Sequence, residues 1–274
     1  MTDIIDKAAI DERFTFARDL IEEAGALALG HFRKLDSLVV TAKGHQDMAS
    51  QADLETEVLI RDRLKQRFPD DGFLGEETGR DSLRDCPCIW VVDPIDGTQP
   101  FISGMTGWCV SIALVVNGVL EAGFVSAPAR DELFSGRRGG EALLNDRPIR
   151  VRDAAKLSEG IIAVGYSPRV RPAVFLPVFA RLLEDGAMFY RDGSGALALC
   201  YVACGRLIGY VEPHINSWDC LGAIAVIEAA GGKVSNFLEG DALWKGNHLL
   251  AGSERLYPRL AALHADAAER PEPA

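Results

Sequence analysis

The sequence predicts a layered protein of mixed α and β structure, and three observations carry that prediction. A β-meander lies in the middle of the chain: the apolar runs 110–116 and 119–125 flank Asn117-Gly118, a dipeptide whose residues accept the positive φ of a tight hairpin turn. After it, short apolar runs alternate with segments of helical periodicity towards the C-terminus. Hydrophobic residues make up 48% of the 274. That supplies a sizeable core, while no run is long enough to read as a membrane-spanning helix.

The elements follow in order. Phe14, Ala17, Ile21, Ala24, Leu27 and Ala28 recur at helical spacing and predict an amphipathic helix over about 11–32. Residues 39–41 read as a short strand and 43–47 as a polar loop. A second helix covers 52–68 and stops at Pro69. The continuous apolar run 88–92 predicts a strand buried on both faces. The meander comes next, with 132–135 as a further strand, a turn at 136–140 and an exposed hairpin over 141–149. The second half reads strand 161–165, helix 174–183, strand 188–190, helix 196–204, strand 207–211 and helix 219–230. A last helix covers 253–264. No Pro/Gly-rich linker separates the halves, so we expect one catalytic domain over 1–265, with subdomains 1–150 and 151–265. A frayed tail is expected over 266–274.

Lysines and arginines number 29 against 40 acids, a formal net charge of −11. Nonspecific nucleic-acid binding needs basic surface to displace counterions, so no nucleic-acid partner is expected. An anionic substrate stays compatible, because bound divalent ions can reverse the sign of a carboxylate-lined pocket. The N-terminus lacks the basic-then-apolar layout of a signal peptide. Four of the six cysteines sit in apolar or helical stretches, which suits reduced core thiols. The expectation is a cytoplasmic protein without membrane attachment. Cys86-Pro87-Cys88 is too close-set for an ordinary disulfide or a zinc knuckle by itself. The histidines show no ligand-like pair at i,i+4, and the chain has neither a Gly-x-Ser-x-Gly elbow nor a Walker loop. Zinc hydrolase, serine esterase and nucleoside-triphosphatase readings therefore fall.

The stretch richest in chemistry is 90–98, Trp-Val-Val-Asp-Pro-Ile-Asp-Gly-Thr. An apolar strand runs into two carboxylates. Pro94 fixes φ and is expected to stop the strand, turning the chain so that Asp93 and Asp96 point at one metal centre. Gly97 lets the backbone approach a ligand closely. Its N–H and that of Thr98 face an anion if a helix opens there. Carboxylates for hard cations beside backbone donors for phosphate point to metal-assisted phosphoryl chemistry. Two further blocks accompany this one. Leu74-Gly75-Glu76-Glu77-Thr78 lies upstream, and Ser217-Trp218-Asp219 opens an apolar helical run that Gly231-Gly232 closes.

On these three blocks, in this order, the chain resembles the inositol monophosphatase family from about residue 43 to about 232. The resemblance implies an alternating α-β-α-β-α sandwich, with the meander in the first sheet and the later strands in the second. It implies a Mg²⁺-dependent phosphate monoester hydrolase, in first place an inositol-1-monophosphatase, sensitive to Li⁺ and working as a homodimer. Two ions are implied, with a place for a third near Lys43 and Asp47. Glu76, Asp93 and the Ile95 carbonyl would hold the first ion; Asp93, Asp96 and Asp219 would hold the second. Glu76 and Thr98 would position the attacking water, Asp53 would orient Thr98, and Glu77 would lie close by. Gly97, Thr98 and Asp96 would face the phosphate, and Gly193, Ser194, Gly195 and Glu212 the organic part.

Each assignment has a plainer alternative. Asp93 and Asp96 taken alone would be turn acids. Asp53 is as good an N-cap for a 54–68 helix, and Asp219 for the helix it precedes. Lys43 and Asp47 are equally a solvated loop, and Gly193-Ser194-Gly195 is also a good helix start. Trp218 and Glu228 read as structural and His214 as a rim residue. The substrate is the open point. Gln99-Pro100-Phe101 stands where the family's inositol phosphatases usually continue Thr-Asn-Phe, and Glu212-Pro213-His214 is not their commonest ending. Histidinol phosphate is the runner-up; 3′-phosphoadenosine 5′-phosphate and fructose 1,6-bisphosphate follow. A regulatory binding module that keeps the fold is the non-enzyme alternative. The complete set Glu76, Asp93, Asp96, Asp219 and Thr98 argues against it.

Overall fold

Ala17, Leu20, Ile21, Ala24 and Ala28 form the buried stripe of the first helix, Lys7–Phe32. The structure, a computed structural model, describes residues 5–38, 40–44, 47–80 and 86–268; the side chains of 37, 41–49, 80 and 264–268 lie outside that description. Lys7–Phe32 packs with the helix Gln51–Arg67 against Trp90, Val92, Ile112, Leu114 and Phe124 on one face of an eight-stranded sheet. The opposite face, with Val91, Ala113, Val115 and Phe134, receives the helices Gly195–Ala203 and Leu221–Ala229. Both are apolar on two faces, because their other side meets Ala163, Tyr210, Leu249 and Ala251 of a five-stranded second sheet. Beyond that sheet, Ile162, Val164, Val211 and Leu250 are covered by the helices Pro172–Glu184 and Tyr257–Ala268. The layers run α-β-α-β-α, as the resemblance implied.

The larger sheet has the order Arg147–Pro148, Leu143–Leu144, Glu132–Arg137, Val119–Ala127, Cys109–Val116, Cys88–Asp96, Gly72–Gly75, Gly79–Arg80. The meander lies wholly within it, and Asn117 and Gly118 take φ of 51° and 78° at the hairpin turn. The second sheet has the order Met188–Tyr190, Ile161–Val164, Gly209–Ile215, Asn247–Gly252, Lys233–Val234. No helix among the described residues is long and apolar enough to cross a membrane.

Several expectations are corrected. Pro94 does not end its strand. Cys88–Asp96 continues through it, and its pairing with Cys109–Val116 shifts register between Asp93 and Asp96. A bulge is the place where a sheet interior accommodates a residue with no N–H to give. Within the expected loop 43–47, the strand Val40–Gly44 pairs antiparallel with Asp47–Ser50, and 45–46 lie outside the described residues. The last helix runs to Ala268, so 266–268 are helical rather than frayed, and 269–274 lie outside the described residues. The strands Gly72–Gly75 and Asn247–Gly252 were not anticipated at all.

Candidate active site

Strand register brings the first two acids together. Gly72–Gly75 runs parallel to Cys88–Asp96 with Gly75 opposite Val92, so Glu76 and Asp93 leave adjacent strands side by side. The Glu76 N–H donates to the Val92 carbonyl at 3.3 Å, extending the ladder by one bond. Asp219 arrives from the other sheet, on the turn between Gly209–Ile215 and Leu221–Ala229. One carboxylate oxygen from each of Glu76, Asp93 and Asp219 lies within 4.8 Å of the others.

Carboxylates this close repel one another. Asp93 is 1% exposed. Its carboxyl is pushed well above the ordinary range by burial first, and then by Glu76, Asp96 and Asp219. Asp96 is pushed up to about 7 by burial and by Asp219. Burial also raises Asp219, opposed chiefly by Arg169, whose Nη2 lies 3.8 Å from Asp219 Oδ2. The backbone thus holds three acids where, unaided, they disfavour their own charge. An all-oxygen donor set of this kind fits a hard divalent cation.

Asp96 stands apart from that trio and lines a cavity together with Glu76 and Asp219. Its Oδ2 accepts from Ser194 Oγ and from the Ala196 N–H, both at 2.6 Å. It therefore sits on the N-terminus of the helix Gly195–Ala203, where negative charge is favoured.

Gly97 opens the short helix Thr98–Ile102 with φ 97°. A Cβ there would stand 2.7 Å from the Gly107 carbonyl oxygen, so the tight turn requires glycine. Thr98 Oγ1 lies 3.2 Å from both Asp53 Oδ1 and the Ile95 carbonyl oxygen. A hydroxyl has one proton, so it donates to one of them at a time. Asp53 Oδ2 accepts from Ser50 N at 2.8 Å and Ser50 Oγ at 2.5 Å. Burial raises the Asp53 carboxyl against these bonds. The expected N-cap role is corrected here: Ser50 is the N-cap, and Asp53, at the third helical position, completes a capping box. It does so with one oxygen and meets Thr98 with the other.

The N-cap reading of Asp219 is corrected as well. Its Oδ2 accepts from the Asn216 N–H at 3.2 Å and from Asn216 Nδ2 at 3.1 Å. The first helical amide, Leu221 N, donates instead to the Ser217 carbonyl at 2.9 Å. The turn satisfies itself through backbone, which leaves the Asp219 carboxylate directed back towards the strands.

The cavity has a volume of about 910 Å³. Its lining includes Gly193 at φ 103°, Ser194, Gly195 and Glu212. Ser194 caps its helix by accepting from Leu197 N at 3.1 Å. Glu212 Oε2 accepts from the Tyr210 hydroxyl at 2.5 Å, and burial pushes its carboxyl up to about 8. His214 Nε2 lies 2.7 Å from the Lys245 carbonyl, and Trp218 packs against the central core. Lys43 and Asp47, expected near a third ion, have side chains outside the described residues. Three neighbours of the site went unpredicted: Arg169, Tyr210 and Glu57. Tyr210 was findable, two residues before Glu212 on the same strand face. Glu57 was not, because its partners are the main-chain amides of Glu77 and Thr78. Arg169 lies in a loop without periodicity, and nothing in the sequence marked it.

A sequence model of the inositol monophosphatase family matches residues 9–269. The chain belongs to this family. It is 40% identical over 221 residues to the Nus factor SuhB of Xylella fastidiosa, covering 80% of each chain. To the inositol-1-monophosphatase of Mesorhizobium japonicum it is 37% identical over 234 residues, 85% of this chain and 88% of the relative. Among solved structures, extragenic suppressor protein SuhB from Bartonella henselae superposes with a TM-score of 0.84 at 31% identity, covering 93% of this chain and 98% of that one. An inositol monophosphate-bound SaIMPase-II superposes at 0.77 with 27% identity, over 94% and 96%. This membership bears out the reading as a phosphoric monoester hydrolase by class.

Proposed function

We propose that the chain is a Mg²⁺-dependent phosphate monoester hydrolase whose substrate is inositol monophosphate. The observation that carries the reading is the meeting of Glu76, Asp93 and Asp219 within 4.8 Å, beside a cavity lined by Glu76, Asp219, Asp96 and Thr98. Glu76, Asp93 and the Ile95 carbonyl would hold one ion, and Asp93, Asp96 and Asp219 a second; Lys43 and Asp47 would flank a third. Bound there, Mg²⁺ supplies charge to polarise the phosphate, acidify a water and stabilise the leaving alkoxide.

The chain's own groups do the rest. Thr98 donates its hydrogen bond to Asp53 and so offers an oxygen lone pair to the attacking water, while Glu76 also positions that water. The Gly97 and Thr98 N–H groups, at the start of their short helix, donate to phosphate oxygens. Gly193, Ser194, Gly195 and Glu212 bound the alcohol portion. No covalent phosphoenzyme is required. Li⁺ inhibition, a cytoplasmic location and a homodimer belong to the same reading. The dimer is supported by exposed Leu176, Met188 and Phe189 on the outer helix and edge strand. The test is a phosphatase assay with Mg²⁺ across inositol, histidinol, sugar and nucleotide phosphates. Inositol monophosphate is expected to be turned over fastest, and a wide margin for histidinol phosphate would replace it.

The relatives named Nus factor SuhB favour a second reading, a regulatory module that keeps the fold. The retained acids Glu76, Asp93, Asp96 and Asp219 weigh against it as the sole role. A purified protein that binds Mg²⁺ yet turns over none of these esters would reverse that judgement.

A further inference from the structure

Glu57 is fully buried on the helix Gln51–Arg67, four residues after Asp53, so the two acids share one helix face. A buried carboxylate is costly unless donors surround it. Here the donors are main-chain amides. Oε2 accepts from the Glu77 N–H at 2.8 Å and Oε1 from the Thr78 N–H at 2.7 Å. These two consecutive amides belong to the turn that begins at Glu76. Gly75, just before it, makes the room: a Cβ at that position would stand 2.5 Å from the Glu57 carboxylate.

We propose that Glu57 is a positioning residue for Glu76. It fixes the turn that carries Glu76 as Asp53 meets Thr98, so one rigid helix face sets both groups assigned to the attacking water. The inference rests on the reading of Glu76 as a metal- and water-binding carboxylate. The negative charge matters because both oxygens accept. A glutamine of the same size accepts at one oxygen and turns its NH₂ towards the second amide, where donor faces donor.

The test compares Glu57→Gln, Glu76→Gln and the double variant in the full chain. Hydrogen exchange reads the Glu77 and Thr78 amides, calorimetry reads Mg²⁺ affinity, and steady-state kinetics reads kcat and KM. Glu57→Gln is expected to speed exchange at those amides. Mg²⁺ affinity and kcat should fall by about 10- to 100-fold, the range typical of groups that orient a metal ligand, with little change in KM. Added to Glu76→Gln, it should bring no further loss of Mg²⁺ affinity, because it acts through Glu76. Should Glu76→Gln weaken Mg²⁺ binding while Glu57→Gln retains wild-type affinity and kcat, Glu57 is structural only and the proposal is overturned. Fully additive losses in the double variant overturn it as well. Wild-type Mg²⁺ affinity in Glu76→Gln fails the reading of the site instead. If Glu57→Gln does not fold, Gly75→Ala carries the same measurements, since its methyl displaces the Glu57 carboxylate; unchanged exchange and affinity there would count against the proposal.

Discussion

Ser194 Oγ donates to Asp96 Oδ2 at 2.6 Å, across 98 residues of sequence. The same oxygen accepts from Leu197 N at 3.1 Å. One buried hydroxyl thus caps the helix Gly195–Ala203 and ties it to the end of the strand Cys88–Asp96. Ser194→Ala removes both bonds and leaves the buried Asp96 carboxylate one donor short. A lost cap costs about 1 kcal/mol, and a lost bond to a charged group about 1.5–3 kcal/mol. Urea unfolding in excess chelator should therefore show the variant less stable by about 2.5–4 kcal/mol. A difference close to zero would mean that this link contributes nothing.

The raised carboxyls make a prediction about pH. Asp93, Asp96 and Asp219 bind protons more tightly in the fold than in the unfolded chain. Their contribution to stability is fully present below the unfolded value near 4, and is lost as pH rises through the folded value, about 7 for Asp96. Mg²⁺ competes with those protons. The rise in Tm on adding Mg²⁺ to chelator-treated protein should therefore be larger at pH 8 than at pH 5.5. Melts showing an equal or larger rise at the acid pH would contradict this account of the cluster.

Asp93→Asn should abolish Mg²⁺-dependent turnover, because Asp93 is the acid proposed to meet both ions. The fold should survive. An Asn Oδ1 can still accept from the Ile95 N–H, the bond seen at 3.0 Å, and the substitution removes a charge from a repelling group. The metal-free variant should melt no lower than the wild type at pH 8. Undiminished turnover in the variant would remove Asp93 from its proposed place.

The layers were legible because their signals are local. Asn117-Gly118 marked the hairpin, and the largely apolar runs around 196–204 and 219–230 marked two helices. Asp93, Asp96, Gly97 and Thr98 were conspicuous because strand, acids and glycine fall in one short stretch. What escaped was set by pairing between distant segments. Gly72–Gly75 becomes a strand through pairing with Cys88–Asp96, and Asn247–Gly252 through pairing with Gly209–Ile215. The bulge at Pro94 likewise depends on the neighbouring strand Cys109–Val116. Glu57 looked like one more acid on an acidic helix, because its partners are amides that carry no side-chain signature.

Thr98→Ala should lower kcat by about 10²-fold or more, the scale of lost proton-transfer assistance, with KM little changed. The hydroxyl lies 3.2 Å from Asp53 and from the Ile95 carbonyl, on the side of the site assigned to the water. Steady-state kinetics decide the matter: a variant whose sole defect is a raised KM would move Thr98 from the water to the substrate.

Glu212 separates substrate preference from the chemistry shared by all esters. It is 6% exposed and accepts from the Tyr210 hydroxyl through Oε2. If inositol monophosphate is the substrate, the remaining acceptor capacity takes a ring hydroxyl. Glu212→Gln keeps the shape but weakens acceptance, and a bond of this kind is worth about 1–3 kcal/mol. Turnover of inositol monophosphate, read as kcat/KM, should fall by about 5- to 100-fold, since each 1.4 kcal/mol is about tenfold. An aryl phosphate has no such hydroxyls and should be almost unaffected. Melting curves run alongside test whether the Tyr210 bond, rather than the substrate, was lost: a large drop in Tm with equal losses on both esters would make Glu212 structural. Equal losses at an unchanged Tm would tie it to the metal acids, and a selective loss leaves it as the group that recognises the alcohol.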